Sequence, residues 1–161
     1  GARANEICQL YADDVQQVDG IWCLNIRSGR PDQKLKTANS ARLVPIHRHL
    51  IQSGFIEFVK ERIGGRLFPE LPHRQDGYSH LWGQWFSRHR PVDKDFHSLR
   101  HTNASLLIAA HVPVTAVSGR LGHAKTSTTT DIYAGFIRSA DAAAADALTD
   151  VFTRIREENH A

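Results

Sequence analysis

Strict two-residue alternation of apolar side chains is confined to the first third of this 161-residue chain, and helical spacing governs the remainder beyond Pro45. From Ile21 to Ile26, Trp22, Leu24 and Ile26 fall on one side, the pattern of a half-buried strand. Asp19-Gly20 just before it is a tight-hairpin signal, which makes Val15 to Val18 the partner strand. Ala41 to Val44, closed by Pro45, reads as a third. The expected sheet is therefore small, antiparallel and three-stranded.

Around it the chain reads as helical. Residues 2 to 11 form a short amphipathic helix with Ile7, Leu10 and Tyr11 inward and Arg3 and Glu6 at i,i+3. Ile51, Phe55, Val59 and Ile63 recur every four residues and predict one helix from His47 to Ile63, stopped by Gly64-Gly65. After an irregular connection to Gly77, Tyr78 to His89 is an aromatic helix with Leu81, Trp82, Trp85 and Phe86 on one face. Core packing explains that stripe better than base stacking. A helix from His97 to about Ala110 is expected to bury Leu106, Leu107 and Ala110, and shorter ones run from Val114 to Leu121 and from Ser127 to Tyr133. In the Ala-rich tail, a helix over 139–156 places Leu148, Val151, Phe152 and Ile155 in one apolar strip. The fold class is α+β and mainly helical.

One domain of this length buries a core without staples. Cys8 and Cys23 sit among apolar neighbours and read as buried thiols in a reducing compartment. No signal peptide or spanning apolar run is visible, so a soluble, cytoplasmic protein is expected, with no membrane partner. Three basic and five acidic groups lie beyond Gly135, leaving 17 basic against 12 acidic before it. That excess is compatible with a polyanionic partner without demonstrating one.

The chemistry concentrates between Phe96 and Tyr133. His97 and Arg100, at i,i+3, share a helix face and can converge on a small anion. Gly122 ends the next helix in a left-handed residue and sets His123 on a corner. Tyr133 comes next, in a Thr-rich, Gly-terminated segment. A guanidinium, two imidazoles and a phenol suit phosphate chemistry. Each has a plainer counterpart: Arg3 with Glu6 as a surface pair, His97 and Arg100 flanking a helix start, Tyr133 half-buried in the core.

The motifs H-S-L-R-H-T at His97, L-G-H ending at His123 and D-I-Y ending at Tyr133 resemble the carboxy-terminal signature of the tyrosine recombinases, the phage-integrase family. Gly1-Ala2-Arg3-Ala4-Asn5-Glu6 is similar to that family's early arginine motif. Lys36, ahead of Arg42-Leu43-Val44-Pro45, is similar to its hairpin lysine. The resemblance covers nearly the whole chain. It implies a tyrosine-recombinase-like catalytic domain over residues 1–161. In the family, further helices and an amino-terminal DNA-clamping domain precede the arginine motif, so the chain looks like a fragment.

The resemblance also implies site-specific recombination of double-stranded DNA, with strands cut and rejoined without metal, ATP or any cofactor and with no small-molecule substrate. Tyr133 would attack the phosphate to leave a 3′-phosphotyrosyl link, while Arg3, Arg100 and His123 face the nonbridging oxygens. Lys36, or Lys34 two residues earlier, would protonate the leaving 5′-oxygen. His97 would contact the phosphate or manage the Tyr133 proton, and Glu6 would orient Arg3. Arg42, Arg120 and Lys125 are candidate DNA-backbone contacts or solvated surface. Four protomers would meet on two DNA sites, the tail helix docking on its own core or in trans on a neighbour.

Four rival readings compete. Gly119 to Thr126 nearly spells a P-loop with Val112 to Val117 as its leading strand, but Ala124 stands where glycine is required. His97 and His101 form an i,i+4 pair suited to zinc, but Ser98 replaces the glutamate base and no third ligand is obvious; His101 reads instead as stabilising its helix or partner contacts. A DNA-binding module without chemistry and a type IB topoisomerase-like relaxase complete the set.

Overall fold

The computed structural model describes residues 1–90, 93–123 and 125–130. Its sheet has the order β1-β2-β3, with β1 Val15–Val18, β2 Ile21–Ile26 and β3 Arg42–Pro45, all antiparallel. Asp19 and Gly20 both take left-handed φ, 50° and 79°, the turn whose twist matches a two-residue hairpin. Val18 pairs with Ile21 and Val15 with Leu24; Ile26 pairs with Arg42 across the longer β2–β3 connection.

Polar side chains anchor the root of that connection. Gln33, buried, donates from Nε2 to Asp14 Oδ2 at 2.7 Å and accepts from the Gly29 amide at 3.1 Å. Asp32 accepts from the phenols of Tyr11 and Tyr78 at 2.7 and 2.5 Å, and the Lys34 amide donates to Gln9 Oε1 at 2.9 Å. Burial and the bond to Asp32 push the Tyr78 phenol up to about 12. The loop carrying Lys36 therefore leaves the core from a fixed point.

Helix α1, Ala4–Cys8, is shorter than the sequence predicts, because the chain turns at Gln9 to bury Leu10. The predicted helix from His47 to Ile63 is two: α2, Arg48–Gln52, and α3, Phe55–Lys60. Gly54, at φ 86°, breaks it. A spacing of four on a 3.6-residue helix drifts by roughly 40° each step, so one straight helix would not have kept all four residues on the core. The break lets Ile56 and Val59 pack, while Ile63 is 81% exposed. They join Leu10, Val15, Ile26, Val44 and Leu67 in one core, each fully buried aliphatic side chain contributing about 1.5–3 kcal/mol.

Helix α4, Ser79–His89, splits its aromatic face. Trp82 and Phe86 set their rings edge-on to Phe96 with centroids 4.4 and 5.6 Å away, but Leu81 and Trp85 lie exposed. Helix α5, Phe96–Ala109, is capped by Asp95, whose Oδ1 accepts from the Ser98 amide at 2.9 Å. It packs Ala104 and Ile108 inward, with Leu106 64% exposed and Ala110 on the surface, contrary to the expected face. These meet Val117 and Leu121 of α6, Val114–Leu121, in a second core.

Both cysteines are free thiols and buried; burial raises the Cys8 thiol to about 11. No helix among the described residues is long and apolar enough to cross a membrane. Tyr133 and the 139–156 tail lie outside the described residues.

Candidate active site

The site forms at the seam between the two cores. Arg3 is the residue at the start of α1, and Glu6 one turn on accepts its amide at 2.8 Å and its Nη1 at 2.7 Å. Glu6 is only 3% exposed, and a carboxylate there demands charged partners. Arg42 supplies the second: Nη2 donates to Glu6 Oε2 at 2.8 Å, while Nη1 donates to the Ser40 carbonyl at 2.7 Å. Burial alone would raise the Glu6 carboxyl, but these bonds from Arg42 and Arg3 hold it below its ordinary value.

Two arginines then cap the C-terminus of α6. Arg42 Nε donates to the Arg120 carbonyl at 2.8 Å, and Arg100 Nη2 donates to the Leu121 carbonyl at 2.6 Å. Positive charge at the last carbonyls of a helix is favoured by its dipole. Gly122, at φ 67°, completes the stop, its amide bonding the Gly119 carbonyl and the His123 amide bonding the Ser118 carbonyl. A Cβ at Gly122 would meet Arg42 Nη1 at 2.8 Å, so glycine is required both for the turn and for the guanidinium beside it. Arg100 reaches from α5 also to the Gly1 carbonyl at 2.5 Å, tying the first residues to the second core.

Arg3, Lys36, His97, Arg100, His101, His123 and Thr128 line one pocket of about 220 Å³. Lys36 thus stands with two arginines and three histidines, and Lys34 does not line the pocket. His97 is lowered from its ordinary value by burial, then by His101 and Arg100. His123 is lowered to about 4, first by burial and then by Arg100, Arg3 and Arg42, so at neutral pH it is an uncharged imidazole. Its Nδ1 lies 2.7 Å from the hydroxyl of Thr129, which is fully buried. Guanidiniums and imidazoles gathered in one pocket are chemically suited to a small anion.

Arg42, a candidate backbone contact on the sequence, has a side chain only 7% exposed and bonded to Glu6, Ser40 and Arg120, so it ties these segments together from within. Lys125 is exposed and Arg120 partly so. Val114–Leu121 is helix, which removes the leading strand that a P-loop at Gly119 to Thr126 would need. His101, whose ring stands edge-on to His97 with centroids 4.9 Å apart, enters the pocket lining unforeseen. Thr128 and Thr129 are likewise invisible in the sequence, since hydroxyls in a polar run carry no signal until the fold orients them.

The chain belongs to the phage integrase family, whose model matches residues 1–136. It is 27% identical over 135 residues to "Tyrosine recombinase XerA" of Thermococcus kodakarensis, covering 80% of this chain and 45% of that protein. To "Tyrosine recombinase XerC-like" of Caldanaerobacter subterraneus subsp. tengcongensis it is 30% identical over 138 residues, covering 75% and 35%. The chain therefore spans less than half the length of the curated relatives it matches. No solved structure matches it significantly.

Proposed function

We propose that this chain is the catalytic domain of a site-specific tyrosine recombinase acting on double-stranded DNA. The observation that carries the reading is the convergence of Arg3, Lys36, His97, Arg100 and His123 on one pocket, from segments spread across the chain. Their placement supports a scissile phosphate seated among them, its nonbridging oxygens taken by the two guanidiniums and by His123. Fixed donors aimed at charge that develops in the transition state lower the barrier most.

Tyr133 is the nucleophile in this reading. Its oxygen bonds to phosphorus as the bond to the 5′-oxygen breaks, Lys36 gives that oxygen its proton, and a 3′-phosphotyrosyl link and a 5′-hydroxyl result. His97 contacts the phosphate or handles the phenol proton. A 5′-hydroxyl from a partner duplex then attacks the link and releases the tyrosine, conserving the bond energy so that neither ATP nor metal enters. Exposed Lys125 and partly exposed Arg120 serve the DNA backbone. Four protomers assemble on two sites, with the 139–156 helix packing on its own core or on a neighbour.

The test is a full-length protein incubated with a nicked cognate duplex and resolved under denaturing conditions. A covalent protein–DNA adduct is expected, and Tyr133→Phe should abolish it; an adduct that persists moves the nucleophile elsewhere. A 5′-phosphorothiolate, whose leaving group needs little protonation, should rescue Lys36→Ala and not Arg100→Ala.

A further inference from the structure

The Thr128-Thr129-Thr130 run divides its hydroxyls by direction. Thr128 lines the pocket, and Thr130 donates to the carbonyl four residues back, Thr126, at 3.3 Å, the ordinary use of threonine in a helical turn. Thr129 does neither. It is fully buried, and among the described residues its hydroxyl bonds only Nδ1 of His123, at 2.7 Å.

From this geometry we infer that Thr129 is a positioning residue that fixes the tautomer of His123: its hydroxyl donates to Nδ1, so that the ring's single proton sits on Nε2 and faces the phosphate. The inference rests on the recombinase reading of the pocket. Two arguments support the direction of the bond. A buried hydroxyl whose proton finds no acceptor is costly, and among the described residues Nδ1 is the acceptor its hydroxyl meets. The opposite arrangement, Nδ1–H donating to Thr129, would strand that proton and turn the lone pair of Nε2 toward the nonbridging oxygens, replacing a donor by a repulsion. The ring is neutral at pH 7, because burial and the nearby arginines lower it to about 4, so it has one proton to place. Thr129 thereby makes an uncharged imidazole a committed donor.

The tautomer is read directly in the full-length protein labelled with ¹⁵N in its imidazole rings, the His123 signals being assigned by their loss in His123→Asn. A protonated Nε2 and an unprotonated Nδ1 are expected; a wild-type ring protonated at Nδ1 overturns the proposal without any variant of Thr129. Single-turnover cleavage supplies the second arm. Thr129→Val should slow adduct formation by up to roughly tenfold, the order of one lost hydrogen bond, and Thr129→Ser should restore it. In a His123→Ala background Thr129→Val should cost nothing further. An equal loss in both backgrounds, or a Thr129→Val protein as fast as wild type, refutes the positioning role. Absence of any adduct from the wild-type protein counts against the recombinase reading instead, and the nitrogen spectrum still decides the tautomer.

Discussion

Arg42 shows how a residue's chemistry depends on what the fold puts beside it. On the sequence it is one more cation of a basic half, while in the structure its five N–H donors are divided among a buried carboxylate and two carbonyls. Arg42→Ala would leave Glu6 with Arg3 alone and strip the Arg120 carbonyl of its donor. Because Arg3 still compensates the Glu6 charge, the loss is that of the charged hydrogen bonds, about 1.5–3 kcal/mol, and urea denaturation should show a loss of that order. Lys125→Ala, at an exposed position, should stay within about 0.5 kcal/mol of the parent. Its effect should emerge in DNA binding, where the slope of log affinity against log salt falls by about one.

At the scale of elements, the sheet is legible because alternation and a hairpin turn are local signals, and Asp19-Gly20 adopts the turn its composition implies. Helix α6 and its Gly122 stop are legible for the same reason. The division of His47–Ile63 into two helices is not, because a four-residue repeat imitates a helical face while Gly54 ends it. The exposed face of α5 is hidden too, because Leu106 and Ile108 are equally apolar and only the partner helix chooses between them. The glycines themselves offer a test. Gly54→Ala meets nothing nearer than 4.0 Å and should lose only the left-handed cost of about 1–2 kcal/mol. Gly122→Ala adds a collision with Arg42 to the same cost, so it should lose more stability in denaturation and also slow cleavage.

For the molecule as a whole, Arg3, Lys36, His97, Arg100 and His123 are legible as types and in order, but their convergence on one pocket is not, since it depends on contacts between distant segments. The electrostatics of that convergence set a response to acid. His123 has an ordinary value of 6.5 and about 4 when folded, so between those limits the unfolded chain takes up a proton that the folded one refuses. Stability therefore falls as pH drops through that window, and His97 shifts in the same direction. Glu6, held below 4.5, adds its own loss lower still, as its carboxylate is protonated. A melting series from pH 7 to 4 should decline, and His123→Asn should flatten its upper part; an unchanged profile would mean that the ring is not desolvated as described.

The bonds from Arg100 to Gly1 and from Arg42 to Arg120 join residues 99 and 78 positions apart. A copy interrupted during synthesis, or clipped by a protease before α6, keeps its sheet residues yet never closes the seam. Such half-made copies lack His123 and Thr128, so the pocket is whole only once the last of its lining residues has been made and folded in.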